Sequence, residues 1–149
     1  MSVSEMIAPH LPYLRRFARA LCGGQESGDA HVVAMLETMV ADPAALDRHL
    51  EPKVALYRLF LRLWDSVPIN REAPHGEQDK LSRLTPRSRQ AFLLMAVEGF
   101  SPDAAAQILG VDRSGLLSLR DQAAREMAEQ VETEVLIIED EAIIAMDLE

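Results

Sequence analysis

At 149 residues, 48% of them hydrophobic, the chain is long enough to bury a core as one domain or two small ones. Aromatics are only 5% beside plentiful Ala, Leu and Met, which favours helix on helix; one cysteine, Cys22, excludes an internal disulfide. The net charge of −9 divides unevenly, because residues 81–131 hold 6 basic and 6 acidic side chains while 132–149 hold seven acids and no base.

Pro9 and Pro12 place the first helix start near Leu11. Leu11, Leu14, Phe17, Ala18 and Leu21 form one apolar stripe, partly opposite Arg15, Arg16 and Arg19, and Gly23-Gly24 end it. Asp29 is placed to cap a second helix through Val40, apolar at Val32, Val33, Leu36, Met39 and Val40. Asp42-Pro43 opens a short third helix. Pro52 opens a fourth, whose run Val54 to Trp64 is apolar on more than one side; such a helix is by default central in its bundle, and a partner face is the lesser option. Ser66 to Lys80 has two prolines, a glycine and mixed charge, and reads as a linker that lets two helical modules sit at variable distance.

Beyond the linker, Thr85 and Pro86 start a helix through Phe92-Leu93-Leu94-Met95 that Gly99 ends. Ser101-Pro102 repeats the start signal and Gly110 the stop. Asp112 then caps a helix to about Gln130, with Leu116, Leu119, Ala123 and Met127 on one face. Two helices joined by a short turn with Gly, after a packed third, form a helix-turn-helix arrangement. A neutral segment of this kind lacks the basic footprint of a nucleic-acid reader. The last stretch, Val135 to Ile138 followed by three acids and an amphipathic pattern, has the look of a buried parallel strand running into a helix. A lone strand cannot pair its backbone, so residues 132–149 are expected to be disordered or to extend the preceding helix.

The chemistry-bearing residues are sparse. His10, His31, His49 and His75 lie too far apart for metal-ligand spacing. Neither a phosphate-cradling glycine loop, a nucleophile elbow nor a Cys/His cluster occurs, so an enzyme is the least favoured class. With no signal peptide and no long apolar run, a soluble cytoplasmic protein without membrane contact is expected.

The run LTPRSRQAFLL, EGFS and AAQILGV resembles region 4 of the extracytoplasmic-function type of bacterial sigma factor. In that family the last helix carries basic residues that contact promoter DNA. Aligned without a gap from Gly110, the lysine and arginine positions fall on Leu117 and Leu119; aligned on Gly115, they fall on Ser118 and Arg120. Either register leaves little to neutralise phosphate or read guanine. The piece LRRFARAL, GDA and ETM followed by LYRLFLR resembles region 2 of the same family. Where the family engages RNA polymerase through polar residues on the second helix, an ungapped match puts Val32, Met35 and Leu36. The C-terminal stretch resembles the opening of a response-regulator receiver domain, which implies that Glu139 and Asp140 form half of an acidic Mg²⁺ pocket, the phosphoacceptor aspartate lying outside this chain.

Together these pieces resemble the anti-anti-sigma response regulators of the alphaproteobacterial general stress response, across essentially the whole chain. The resemblance implies an all-α chain: a region 2-like module at 1–65, a linker at 66–80, a region 4-like helix-turn-helix module at 81–131 and the start of a receiver at 132–149. It implies a mechanism of partner switching, in which receiver phosphorylation frees the sigma-like part to bind the small anti-sigma factor NepR. The receiver would otherwise be its intramolecular partner, and DNA binding is not expected. Independently of that, a partner helix can lie in a groove between helical modules, anchored by Leu, Met and aromatic side chains. Candidate anchors are Leu116, Leu117 and Leu119 in the second module and Val32, Met35, Leu36 and Met39 in the first. Leu116 and Leu36 fall nearer the core, and Leu117 is the first choice for an exposed contact. Arg113 and Arg120 are candidates for rim charge pairs. The alternative is a genuine sigma factor that binds polymerase and promoter DNA. No cofactor is expected in this chain.

Overall fold

The structure, a computed structural model, describes the backbone of residues 2–71 and 84–147 and the side chains of residues 2–68, 70 and 84–132. Within these bounds it consists of helices and turns. Helix α1, Val3–Ile7, precedes the first helix expected from the sequence. Its start is a capping box: the Glu5 N–H donates to Ser2 Oγ and the Ser2 N–H to Glu5 Oε2, each at 3.2 Å. A 3₁₀ turn at Ala8–His10 leads into α2, Leu11–Cys22, which ends on Gly23 at φ +78°.

The next helix corrects the expectation. Gly23 in the left-handed region and Gly24 extended reverse the chain in two residues, so α3, Gln25–Ala41, begins a full turn before the Asp29 cap read from the sequence. Asp29 sits inside the helix, where Arg19 Nε and Nη2 grip its carboxylate at 2.9 Å each. The hydrogen bonds and charge of Arg19 hold that carboxyl below the usual carboxylate range. The two helices cross with backbones in near contact at Gly28, where a Cβ would lie 2.6 Å from the Arg19 nitrogen and 2.9 Å from the Ala18 carbonyl carbon. That crossing turns Val32, Met35 and Met39 inward.

Asp42 caps a 3₁₀ turn at Pro43–Ala45, and α4 follows at Pro52–Ser66. It buries Val54 to Tyr57, Leu59 to Leu61 and Trp64, and packs on both α3 and the second module, so the central position read from its sequence holds. After a 3₁₀ turn at Pro68–Arg71, the greater part of the expected linker lies outside the described residues.

Helix α5, Pro86–Phe92, widens into a π turn at Leu93–Val97, and Gly99 at φ +75° closes it. Thr85 does not cap it with its own side chain. Glu126, from the last helix, anchors this start instead: its Oε2 accepts from the Thr85 N–H at 3.0 Å and from Ser88 Oγ at 3.1 Å. Helix α6, Pro102–Leu109, is capped by Ser101 and stopped by Gly110 at φ +68°. Asp112 Oδ1 accepts from the Gly115 N–H at 2.6 Å and starts α7, Arg113–Asp147. The backbone beyond residue 132 therefore extends the preceding helix and is not a strand; a helix pairs its N–H and C=O groups within the segment, as an unpartnered strand cannot.

The two modules, expected to stand at variable distance, share one continuous core that runs from Ile7 to Leu116 in this conformation. Polar pins cross the seam beside it. Arg89 Nη1 donates to the Leu21 carbonyl at the end of α2 at 2.9 Å, and Arg58 Nη1 to the Gln107 carbonyl at 3.0 Å. The π turn presents Glu98 to the first module, where Arg16 Nη2 meets its Oε2 at 3.1 Å and the Tyr57 hydroxyl donates to it at 3.3 Å. The Glu98 side chain is 1% exposed and its Oε1 has no partner among the described residues. Burial, then the Glu98 charge and hydrogen bond, push the Tyr57 hydroxyl far up, so it stays a donor.

Candidate partner-binding surface

The start of α7 decides what the helix-turn-helix module can hold. Leu116 is fully buried and is core, so it is withdrawn from the expected anchors. Leu119 is half-buried and packs on the core with one side. Its other side lines a groove of about 410 Å³ with Asp65, Thr85, Pro86, Arg87 and Gln122, between the end of α4 and the starts of α5 and α7. Leu117 is half-buried and stands outside the core cluster. The groove has a braced polar wall: Arg87 Nη1 lies 3.3 Å from Asp65 Oδ2, Gln90 Nε2 donates to Asp65 Oδ1 at 2.9 Å, and Arg87 Nη2 donates to the Leu109 carbonyl at 2.9 Å. Glu126 accepts hydrogen bonds from two of the lining residues, Thr85 and Gln122; burial raises its pKa, but bonds from Gln122, Thr85 and Ser88 outweigh that and hold it below the usual range.

On α3 the expected set divides. Val32, Met35 and Met39 are buried, so they are corrected from partner anchors to core residues. The cause is the Gly28 crossing, which puts positions 28, 32, 35 and 39 on the face against α2. Leu36 is half-buried and open on one side. It is flanked by Val33, 52% exposed, and Val40, 83% exposed, at helical spacing of 33, 36 and 40. The sequence already held this stripe. Because α3 is apolar on two sides, periodicity alone did not say which side met the core.

Arg113 and Arg120 are exposed as expected of rim residues, and each has an acid beside it: Arg113 Nη1 is 3.6 Å from Asp103, and Arg120 Nη2 is 3.6 Å from Asp121. Glu139 and Asp140 lie on the helical backbone of α7 and not at a strand end, so the strand-end geometry implied for a Mg²⁺ pocket is not formed here; their side chains lie outside the described residues, as does His75. Among the described residues no group of His, Cys, Asp and Glu could hold a metal ion, and no helix is long and apolar enough to cross a membrane.

One constellation has the residue types of a nucleophilic site. Cys22 Sγ lies 3.8 Å from His31 Nδ1, and Asn70 Nδ2 lies 3.2 Å from His31 Nε2. Its geometry is wrong for activation. His31 Nδ1 is 2.8 Å from the Ser27 carbonyl, so it carries the proton and donates there, leaving Nε2 to accept from Asn70. Burial pushes the Cys22 thiol up. These groups hold α2, α3 and the end of α4 together.

Two helical modules in sigma-factor order, with half-open leucines and acid-paired arginines at the start of the last helix, define a sigma-like protein. Comparison with known proteins narrows this. Residues 7–61 match the model of the Sigma2 domain of PhyR, and residues 81–130 that of the sigma-like domain of the response regulator PhyR. The phyllosphere-induced regulator PhyR of Methylorubrum extorquens is 49% identical over 154 residues, covering 100% of this chain and 58% of that protein. A structure of the anti-anti-sigma factor PhyR complexed with the anti-sigma factor NepR, from Bartonella quintana, is 47% identical with a TM-score of 0.78, covering 87% of this chain and 51% of that one. The PhyRSL–NepR complex of Sphingomonas sp. Fr1 is 42% identical with a TM-score of 0.69, covering 87% and 88%. The chain belongs to the PhyR family. It spans somewhat over half the length of the curated relative it matches.

Proposed function

We propose that this chain is the sigma-like part of a response regulator that captures a NepR-type anti-sigma factor by imitating a sigma factor, and so frees the true sigma factor. It acts by binding and not by catalysis, in the cytoplasm. One observation carries the reading: on a sigma-like scaffold, Leu117, Leu119 and the stripe Val33, Leu36, Val40 stay open, while Arg113 and Arg120 each have an acid of the same chain 3.6 Å away. A partner helix laid in the groove beside Leu119 would bury that side chain, and a further apolar segment of the partner would be needed to cover the α3 stripe. In the complete protein, phosphorylation of a receiver domain would release the sigma-like modules. That receiver would take Mg²⁺, with Glu139 and Asp140 as two of its acids once they stand at the end of a strand.

The test is isothermal titration of the chain with the NepR-type anti-sigma factor of the same bacterium, beside filter binding to promoter DNA across a salt series. Tight anti-sigma binding with weak DNA retention is expected. Specific promoter binding with a steep salt slope would replace the proposal with a genuine sigma factor. Leu117→Asp should weaken anti-sigma binding by about tenfold or more, with helicity and melting nearly unchanged, because the side chain lies outside the core. An unchanged affinity would remove Leu117 from the interface.

A further inference from the structure

The arginine-bearing face of α2 has no part in the reading above. Pro12, Arg15, Arg16 and Arg19 line a surface cleft of about 240 Å³ on the outer side of that helix. Beside it stands Tyr13, 48% exposed, with Arg16 Cζ 5.5 Å and Lys53 Nζ 5.4 Å from its ring centroid. An open tyrosine flanked by guanidinium and ammonium groups has the composition of an interface hot spot. We propose that this face binds an acidic segment of the protein partner, a short run of Asp and Glu interspersed with apolar residues. The proposal rests on the anti-sigma reading and adds a second contact to it, apart from α7.

The chemistry favours a peptide over a nucleic acid. Two carboxylates already lie under the arginines: Asp29 accepts from Arg19 and lies 3.6 Å from Arg15, and Glu98 accepts from Arg16. They leave the face only mildly positive, too little to neutralise the row of phosphates that a nucleic acid presents. Glu98 holds the Arg16 guanidinium at 3.1 Å, and Arg15 and Arg16, both more than half exposed, can turn their remaining N–H groups to incoming carboxylates. Tyr13 supplies an apolar rest for the aliphatic part of the segment at small entropic cost.

The experiment is stopped-flow association and dissociation of the NepR-type anti-sigma factor with the wild-type chain, Arg15→Glu and Tyr13→Ala, at low and high salt, with melting curves as a fold control. Arg15→Glu should slow association about fivefold or more at low salt and flatten the salt dependence. Tyr13→Ala should speed dissociation about tenfold. Neither should alter melting by more than a few degrees, since Arg19 still holds Asp29. Wild-type rates in both variants, with wild-type binding intact, would overturn this inference alone. Absence of wild-type binding would overturn the anti-sigma reading and this inference with it. Should Arg15→Glu instead abolish retention of duplex DNA and leave the anti-sigma rates unchanged, the face is a nucleic-acid contact and the proposal falls.

Discussion

Gly28→Ala isolates the contact that orients the first module. The new methyl carbon would meet Arg19 N at 2.6 Å, Arg19 Cα at 2.7 Å and Ala18 C at 2.9 Å, all backbone atoms that no rotamer change can move aside. Ordinary carbon contacts lie near ~3.5 Å or beyond, so α2 and α3 must separate by most of an ångström. Overpacking of this kind costs about 1–3 kcal/mol, and the rigidity of the obstacle argues for the upper end. Alanine returns about 1 kcal/mol in helix propensity. The net is a loss of about 2 kcal/mol, which at this chain length lowers the melting temperature by about 4–8 °C. Gly24→Ala serves as the control, because a Cβ there meets nothing within 4 Å and the backbone is extended. Calorimetry of both variants decides the matter. An unchanged or raised melting temperature for Gly28→Ala would refute the account of how Val32, Met35 and Met39 come to face inward.

Tyr57→Phe should cost about 1–2 kcal/mol in urea denaturation, because the buried Glu98 carboxylate then keeps only Arg16. Combined with Arg16→Met the loss should be non-additive, and simple additivity would show that the two partners do not share one carboxylate. Glu126 has a folded pKa below its unfolded one, so its stabilisation is complete above the ordinary glutamate pKa and disappears as pH falls through the depressed value. Melting of wild type and Glu126→Gln should therefore differ at neutral pH and converge as pH falls through the depressed pKa; a constant gap would refute the assignment. Cys22, with its thiol pushed up by burial, should alkylate slowly at neutral pH in the native protein and rapidly in denaturant. Equal rates in the two states would contradict the seam described around it.

Much of this architecture was legible because its punctuation is local. Ser101, Gly110 and Asp112 cap or stop helices by contacts within a few residues, and the structure places them where the sequence did. Asp29 misled because a carboxylate before an apolar run reads as a cap, whereas its partner here is Arg19, on the preceding helix. Thr85 failed as a side-chain cap for the converse reason, since Glu126 lies far along the chain and no short-range rule can bring it there. The partner anchors on α3 were read one face off. Val32, Met35 and Met39 are apolar for the core, and only Leu36 of that set remains open. Gly28 was the available signal: a glycine inside a helix marks close backbone approach and hence the inner side. Leu117 was separable from Leu116 by helical phase alone.

The anchoring of the α5 start by Glu126 limits how this protein can be cut or grafted. A fragment ending soon after Gln122 would keep every residue that makes the second module recognisable, yet would strip the Thr85 amide and the Ser88 hydroxyl at the start of α5 of the carboxylate that accepts from both. The smallest transplantable unit thus reaches past Glu126, and the well-known motif is no independent cassette.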